Sequence, residues 1–170
     1  RRHETLPTAA FEGLTINPDG KPYIKGRLQP LQKLKWSYFL TGNLSLRKEE
    51  LLSAGLFDES FSGYGWEDLE LGYRLHRRAL PLYYLPSAIN FHRHPVSETM
   101  MLERKYEMGK SAAHFYKKYP NFEIKMFLGM NPLAMGIFYF LNRHPQLLKL
   151  IKNRYILEEY HYRQGLVENR

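Results

Sequence analysis

A chain of 170 residues with 44% hydrophobic content can bury one real core, so length alone argues for a single compact unit. The absence of cysteine excludes disulfides and thiolate metal sites and points to a reducing compartment. The net charge of +8 is unevenly placed: residues 125–154 hold five Lys/Arg and no Asp or Glu. The start at Arg1-Arg2-His3 shows neither an initiator Met nor a charged-then-apolar leader, and reads as a piece of a longer chain.

Residues 1–35 are rich in Pro, Gly and Lys. Asn17-Pro18-Asp19-Gly20 predicts a turn between Leu14-Thr15-Ile16 and Pro22-Tyr23-Ile24, hence a hairpin. A short helix is expected over 47–53, with Ser45 as its cap and Gly55 as its stop. A second spans 67–78. Its Leu71, Leu75 and Ala79 recur at four-residue spacing and should face the core, while Arg74, Arg77 and Arg78 suit the negative end of the dipole. Two short strands, 81–85 and 88–92, flank Pro86. The remainder reads as helices over 97–118, 132–141 and 146–160, with no internal repeat.

The run Gly63-Tyr64-Gly65-Trp66-Glu67-Asp68-Leu69-Glu70 delivers aromatic rings and carboxylates into the start of the second helix. Such a cluster can bind a sugar and take its proton. Carboxylates are also ordinary stabilisers of a helix N-terminus, where the dipole favours negative charge. The run resembles a motif of GT-A glycosyltransferases, specifically the C-terminal half of family 2 enzymes and the related galactosyltransferase C-terminal module. The stretch Trp36-Ser37-Tyr38-Phe39-Leu40-Thr41-Gly42-Asn43-Leu44-Ser45-Leu46-Arg47, the link Gly55-Leu56-Phe57-Asp58-Glu59 and Phe91-His92-Arg93-His94-Pro95 are similar to the same pattern, in the right order over residues 36–96.

The resemblance implies an α/β chain that is part of a GT-A fold: the acceptor-side portion, helix-rich with a few short strands. Residues 1–124 would form this part, and 125–170 a basic, apolar helical extension. The family holds its nucleotide-sugar diphosphate through a metal bound by an Asp-x-Asp motif after a Rossmann-like first half. Asp19, Asp58 and Asp68 are the only aspartates here, and none stands two positions from another. The expectation is that the nucleotide-binding half is absent and that this piece alone is catalytically incomplete.

By resemblance, Asp68 is the base of an inverting transfer; Asn, found in retaining relatives, could not accept the proton. Glu67 would bind acceptor hydroxyls, and Glu70 would be structural. Tyr64 or Trp66 would stack on the acceptor ring, and which of them does so is open; the other reading of Trp66 is a buried core aromatic. The Gly42-Asn43 turn would lie on the donor side. His92, with His94 as the alternative, would complete a Mn²⁺ or Mg²⁺ site begun by the missing half. On an extended strand both imidazoles would share one face.

The expected partners are a UDP-linked nucleotide sugar, a glycan or lipid-linked acceptor, and the nucleotide-binding half of the parent enzyme. The uncharged run 126–141 is 16 residues and is interrupted by Gly129, Pro132 and Gly136. That is short of the roughly 20 residues needed to cross a bilayer. Two readings of the segment stay open: a pair of core-packing helices with solvated basic faces, or an interfacial patch that adds an anionic membrane surface to the partners, with the protein in the bacterial cytoplasm and peripheral on the inner face of the membrane. The competing interpretation is a basic, aromatic-rich module for single-stranded nucleic acid, with 13 Tyr and 10 Phe to stack on bases. No recognisable nucleic-acid motif supports it, and no such partner is expected.

Overall fold

The computed structural model describes residues 2–93 and 97–170. They form two compact units, Arg1–Glu59 with Glu67–Pro95, and Ser60–Trp66 with Val96–Arg170. The architecture is mixed α/β.

The first unit opens with a single turn, α1 (Arg2–Thr5), and then β1 (Ala10–Ile16), β2 (Lys33–Leu34) and β3 (Leu44–Ser45). Two short 3-10 turns, Trp36–Tyr38 and Thr41–Asn43, precede β3, and α2 (Lys48–Ser53), α3 (Glu67–Arg77) and β4 (Leu82–Phe91) follow. The sheet has the order β2-β4-β1-β3. The central pair β1 and β4 is parallel, and both edge strands are antiparallel to their neighbours. Ala10, Leu34, Leu82 and Tyr84 meet Phe39, Leu71 and Leu75 in one core. Gly72 permits this contact, because a Cβ there would lie 2.5 Å from the Cβ of Phe39.

Several local expectations are corrected. The turn at 17–20 forms, with Gly20 N–H donating to Asn17 O, but Pro22 makes only an isolated bridge to Ile16, so no second hairpin strand develops. The bridge is held by Asn17 N–H donating to Lys21 O and Tyr23 N–H donating to Thr15 O, and the pairing goes no further. The two strands expected around Pro86 are one strand, whose register against β1 slips between Gly13 and Leu14; residues 86–88 form the irregularity. Ser45 does not cap α2. The N-cap is Arg47, without a side-chain bond, and the Ser45 hydroxyl pairs with His3 Nε2. Ala79 is exposed at φ 63°, because α3 ends at Arg77 and the left-handed residue swings it off the core face. Arg74 does not merely complement the dipole: its guanidinium donates to Glu70, Ala54 O and Leu56 O. Gly55, at φ 88°, is the stop that the sequence suggested.

The second unit is helical: α4 (Glu98–Lys118), α5 (Phe122–Phe127), α6 (Pro132–Arg143), α7 (Pro145–Leu148) and α8 (Arg154–Glu168). Ser97 caps α4 by accepting from Met100 N–H, and Pro132 opens α6 behind an Asn131 cap. The expected 146–160 helix is broken. Asn153 accepts from Ile156 N–H and starts α8 afresh, which then runs to Glu168. Helices α4 and α8 touch backbone to backbone. A Cβ on Gly109 would stand 2.0 Å from Tyr162 O, and one on Gly165 the same distance from Tyr106 O. No described helix is long and apolar enough to cross a membrane.

Candidate functional site

Asp68 sits in the first turn of α3, its Oδ1 accepting from Leu69 N–H at 2.7 Å and its Oδ2 from Thr41 N–H at 3.5 Å. Burial, helped by the neighbouring Glu67 charge, raises its carboxyl above the ordinary aspartate range against the pull of those donors. Glu67 Oε2 is buried with no hydrogen-bond partner among the described residues. Glu70 is fully buried and chelates Arg74 Nε at 2.9 Å through both oxygens, a structural ion pair as expected.

Sequence reasoning missed Glu12. On β1 it has the same parity as Ala10 and is 1% exposed, so a carboxylate occupies a position that the strand's alternation assigns to the core. Its Oε2 accepts from Leu40 N–H at 3.1 Å. Burial drives its pKa up to about 8; the Leu40 bond opposes this and the charge of Asp68 adds to it. The available signal was an acid inside the otherwise apolar Ala9-Ala10-Phe11-Glu12 run. Glu12 and Asp68 thus hold consecutive amides of one turn.

That turn contains Gly42 and Asn43. Asn43 Nδ2 donates to Leu14 O and Ala88 O, stitching the irregularity between β1 and β4, and Asn90 Nδ2 donates to Gly42 O. Gly42 has no positive φ, and a Cβ there would meet no described atom within 4 Å. Its glycine is therefore not required by a left-handed backbone, and the space beside it is open.

The loop Ser60–Trp66 belongs to the helical unit. Trp66 is turned inward there: Nε1 donates to Met108 O at 2.8 Å, and the ring meets Phe127 edge-on at 5.6 Å. Its backbone, at φ 76°, is an unusual conformation for a bulky residue. Tyr64 is 49% exposed, with the Arg104 guanidinium 5.0 Å from its ring centroid. Of the two rings, Tyr64 is the exposed one.

His92 follows the end of β4, exposed, its N–H donating to Ile16 O and its ring 6.3 Å from that of Tyr23. His94 lies outside the described residues. No group of three or more His, Asp or Glu among the described residues could hold a metal. The described donor set does not by itself make a complete site.

The chain is 32% identical over 117 residues to chondroitin synthase of Pasteurella multocida (strain Pm70), covering 64% of this chain and 12% of that protein. It is 30% identical over 88 residues to the uncharacterized glycosyltransferase YfnE of Bacillus subtilis (strain 168), covering 52% and 22%. It is 47% identical over 49 residues to validoxylamine A glucosyltransferase of Streptomyces hygroscopicus subsp. jinggangensis (strain 5008), covering 29% and 12%. The chain is related to glycosyltransferases. It spans 12% to 22% of the lengths of these relatives. No family model matches it, and no solved structure matches it significantly.

Proposed function

We propose that this chain is the acceptor-side part of an inverting GT-A glycosyltransferase that moves a sugar from a nucleotide donor, UDP-linked, to a glycan or lipid-linked acceptor. The observation that carries this reading is the Asp68 carboxylate at the α3 N-terminus, with its proton affinity raised by burial and by Glu67. The related proteins named as glycosyltransferases supply the reaction class. In the transfer, the acceptor oxygen forms its bond to the anomeric carbon while its proton passes to an Asp68 oxygen, and the bond from that carbon to the nucleoside diphosphate breaks. A more basic carboxylate is the better acceptor for that proton once deprotonated. Glu67, with its unpartnered oxygen, and the exposed Tyr64 are the acceptor contacts implied by the resemblance. The open space beside Gly42 suits the donor side.

The test is kinetic. Asp68→Asn in the complete enzyme should lower turnover by roughly two or more orders of magnitude while leaving donor binding and melting in place. Turnover of the parent should rise with pH through a midpoint above the ordinary aspartate value, because the base works deprotonated. Glu67→Gln should move that midpoint down by removing the neighbouring charge. Near-normal turnover of Asp68→Asn would remove the residue from the mechanism.

His92 is proposed as one ligand of a Mn²⁺ or Mg²⁺ ion, which when bound would neutralise the diphosphate; the other ligands would come from outside this chain. Calorimetry on the complete enzyme should show weaker metal-dependent donor binding for His92→Ala. Loss with His94→Ala instead would shift the assignment by one strand repeat. Residues 125–154 are proposed to dock on an anionic membrane surface from the cytoplasmic side. Leu133 and Leu150 are 75% and 74% exposed, and Lys125, Arg143, Lys149 and Lys152 carry the charge. Arg154, also in this segment, is paired with Glu158 at 2.8 Å and contributes less.

A further inference from the structure

We propose that the helical unit carries a site for a phosphate group, in the cleft between the loop at 60–63 and one face of α4. Lys110, His114 and Lys117 recur at spacings of four and three along α4 and so share a face. The loop is pinned against that face at one end. Phe61 meets the His114 ring edge-on at 4.7 Å, and the Ser60 hydroxyl is 2.8 Å from His114 Nε2. A cleft of about 220 Å³ remains beside it, lined by Ser60, Ser62, Lys110, Ser111, His114 and Lys117 among others.

Ser111 marks the cleft as a place for a ligand. It is 4% exposed, yet its hydroxyl has no hydrogen-bond partner among the described residues. A buried hydroxyl left unpaired costs free energy that a bound acceptor would recover. Gly63 packs close against it, since a Cβ there would be 2.7 Å from Ser111 Oγ and 3.3 Å from Glu107 Oε2.

The charges set the ligand's sign. Lys110 Nζ is compensated by Glu107 at 3.1 Å, whereas Lys117 is exposed and has no acidic partner among the described residues. The lining offers hydroxyl and ammonium donors but no guanidinium fork. Lysine binds a phosphate as a point charge, and hydroxyl donors beside it suit the remaining phosphate oxygens. The phosphoryl group could be free inorganic phosphate or the head of a sugar phosphate. None of these residues is among those assigned to sugar transfer, so the site stands apart from that reading.

Calorimetry on the complete protein, with inorganic phosphate and separately with glucose 1-phosphate at matched chloride concentration, tests it. Saturable binding is expected, weakened about tenfold each by Ser111→Ala and Lys117→Gln, with melting in phosphate-free buffer unchanged. Gly63→Ala, which crowds the hydroxyl, should weaken binding too. Tighter binding of glucose 1-phosphate assigns the site to a sugar-linked phosphoryl group, and equal or tighter binding of inorganic phosphate assigns it to the free ion. No saturable heat with either probe, or binding by both variants as tight as the parent's, would overturn the proposal and leave Ser111 solvated by water alone.

Discussion

The two units bury opposite kinds of group. The sheet unit encloses two carboxylates, Glu12 and Glu70, whereas the helical unit encloses no carboxylate among the described residues and instead brings two backbones into contact at Gly109 and Gly165. Buried acids are costly unless bonded, and those of the sheet unit either pair with Arg74 or hold amides of the 40–43 turn. The sheet unit therefore gives up stability to fix the position of one turn and one carboxylate. The helical unit gains stability from close approach and holds no comparable strain in its carboxylates.

The contrast breaks most sharply at Asp68. Asp68→Asn should cost turnover by at least about 100-fold, equivalent to about 2.7 kcal/mol of transition-state stabilisation, and cost little stability. Gly109→Ala should do the reverse in the helical unit, destabilising it by about 1–3 kcal/mol or more through overpacking against Tyr162 O. Gly136→Ala, in α6 where a Cβ meets nothing, should instead gain up to about 1 kcal/mol. Equal melting of the two variants would show that the helix crossing is not as tight as described.

Glu12 sharpens the comparison through pH. Its folded pKa, about 8, lies above its ordinary value of 4.5, so the folded state holds a proton that the unfolded chain has released between these values. Stability is then full below about 4.5 and falls as pH rises to about 8. Glu12→Gln keeps an acceptor for Leu40 N–H without the charge. It should flatten this decline, a gain on the order of 1–3 kcal/mol at the alkaline end, read from melting at several pH values. An unchanged slope would place the titration elsewhere.

The smallest expected effect belongs to the surface of the helical unit. Each uncompensated basic residue near an anionic bilayer contributes on the order of 1 kcal/mol, screened over about 10 Å at 0.1 M salt. Vesicle sedimentation should therefore show preference for anionic lipid that fades with salt. Equal partitioning onto neutral vesicles, or none at low salt, would leave the segment as ordinary helical packing.

Elements with strong local chemistry were legible in sequence. Ser97, Pro132 and Gly55 mark helix ends where caps, a fixed φ and a left-handed residue are required. The start of α3, with Glu67 and Asp68, was legible for the same reason. The break before Asn153 was not, because apolar residues continue on both sides and only a side-chain cap signals the restart. The six-residue α5 was missed since it is too short to show a period. For Trp66 the core was one of two readings, and the choice could not be made from sequence: its inward turn depends on Met108, Phe127 and Tyr162, all more than 40 residues away. Glu12 was hidden because its partners, Leu40 and Asp68, come from distant segments.

Gly13 restricts the order in which this chain can change. A Cβ there would lie 2.3 Å from Asn43 Nδ2 and 2.5 Å from Ala88 O. Shortening Asn43 would clear the first obstacle and leave the second, since Ala88 O belongs to the main chain. Position 13 thus stays closed to any side chain until the irregularity at 86–88 is itself removed, by deletion rather than by substitution. A lineage could lose Asn43 in one step, with loosening of the turn, but could not replace Gly13 without first rebuilding the strand beside it.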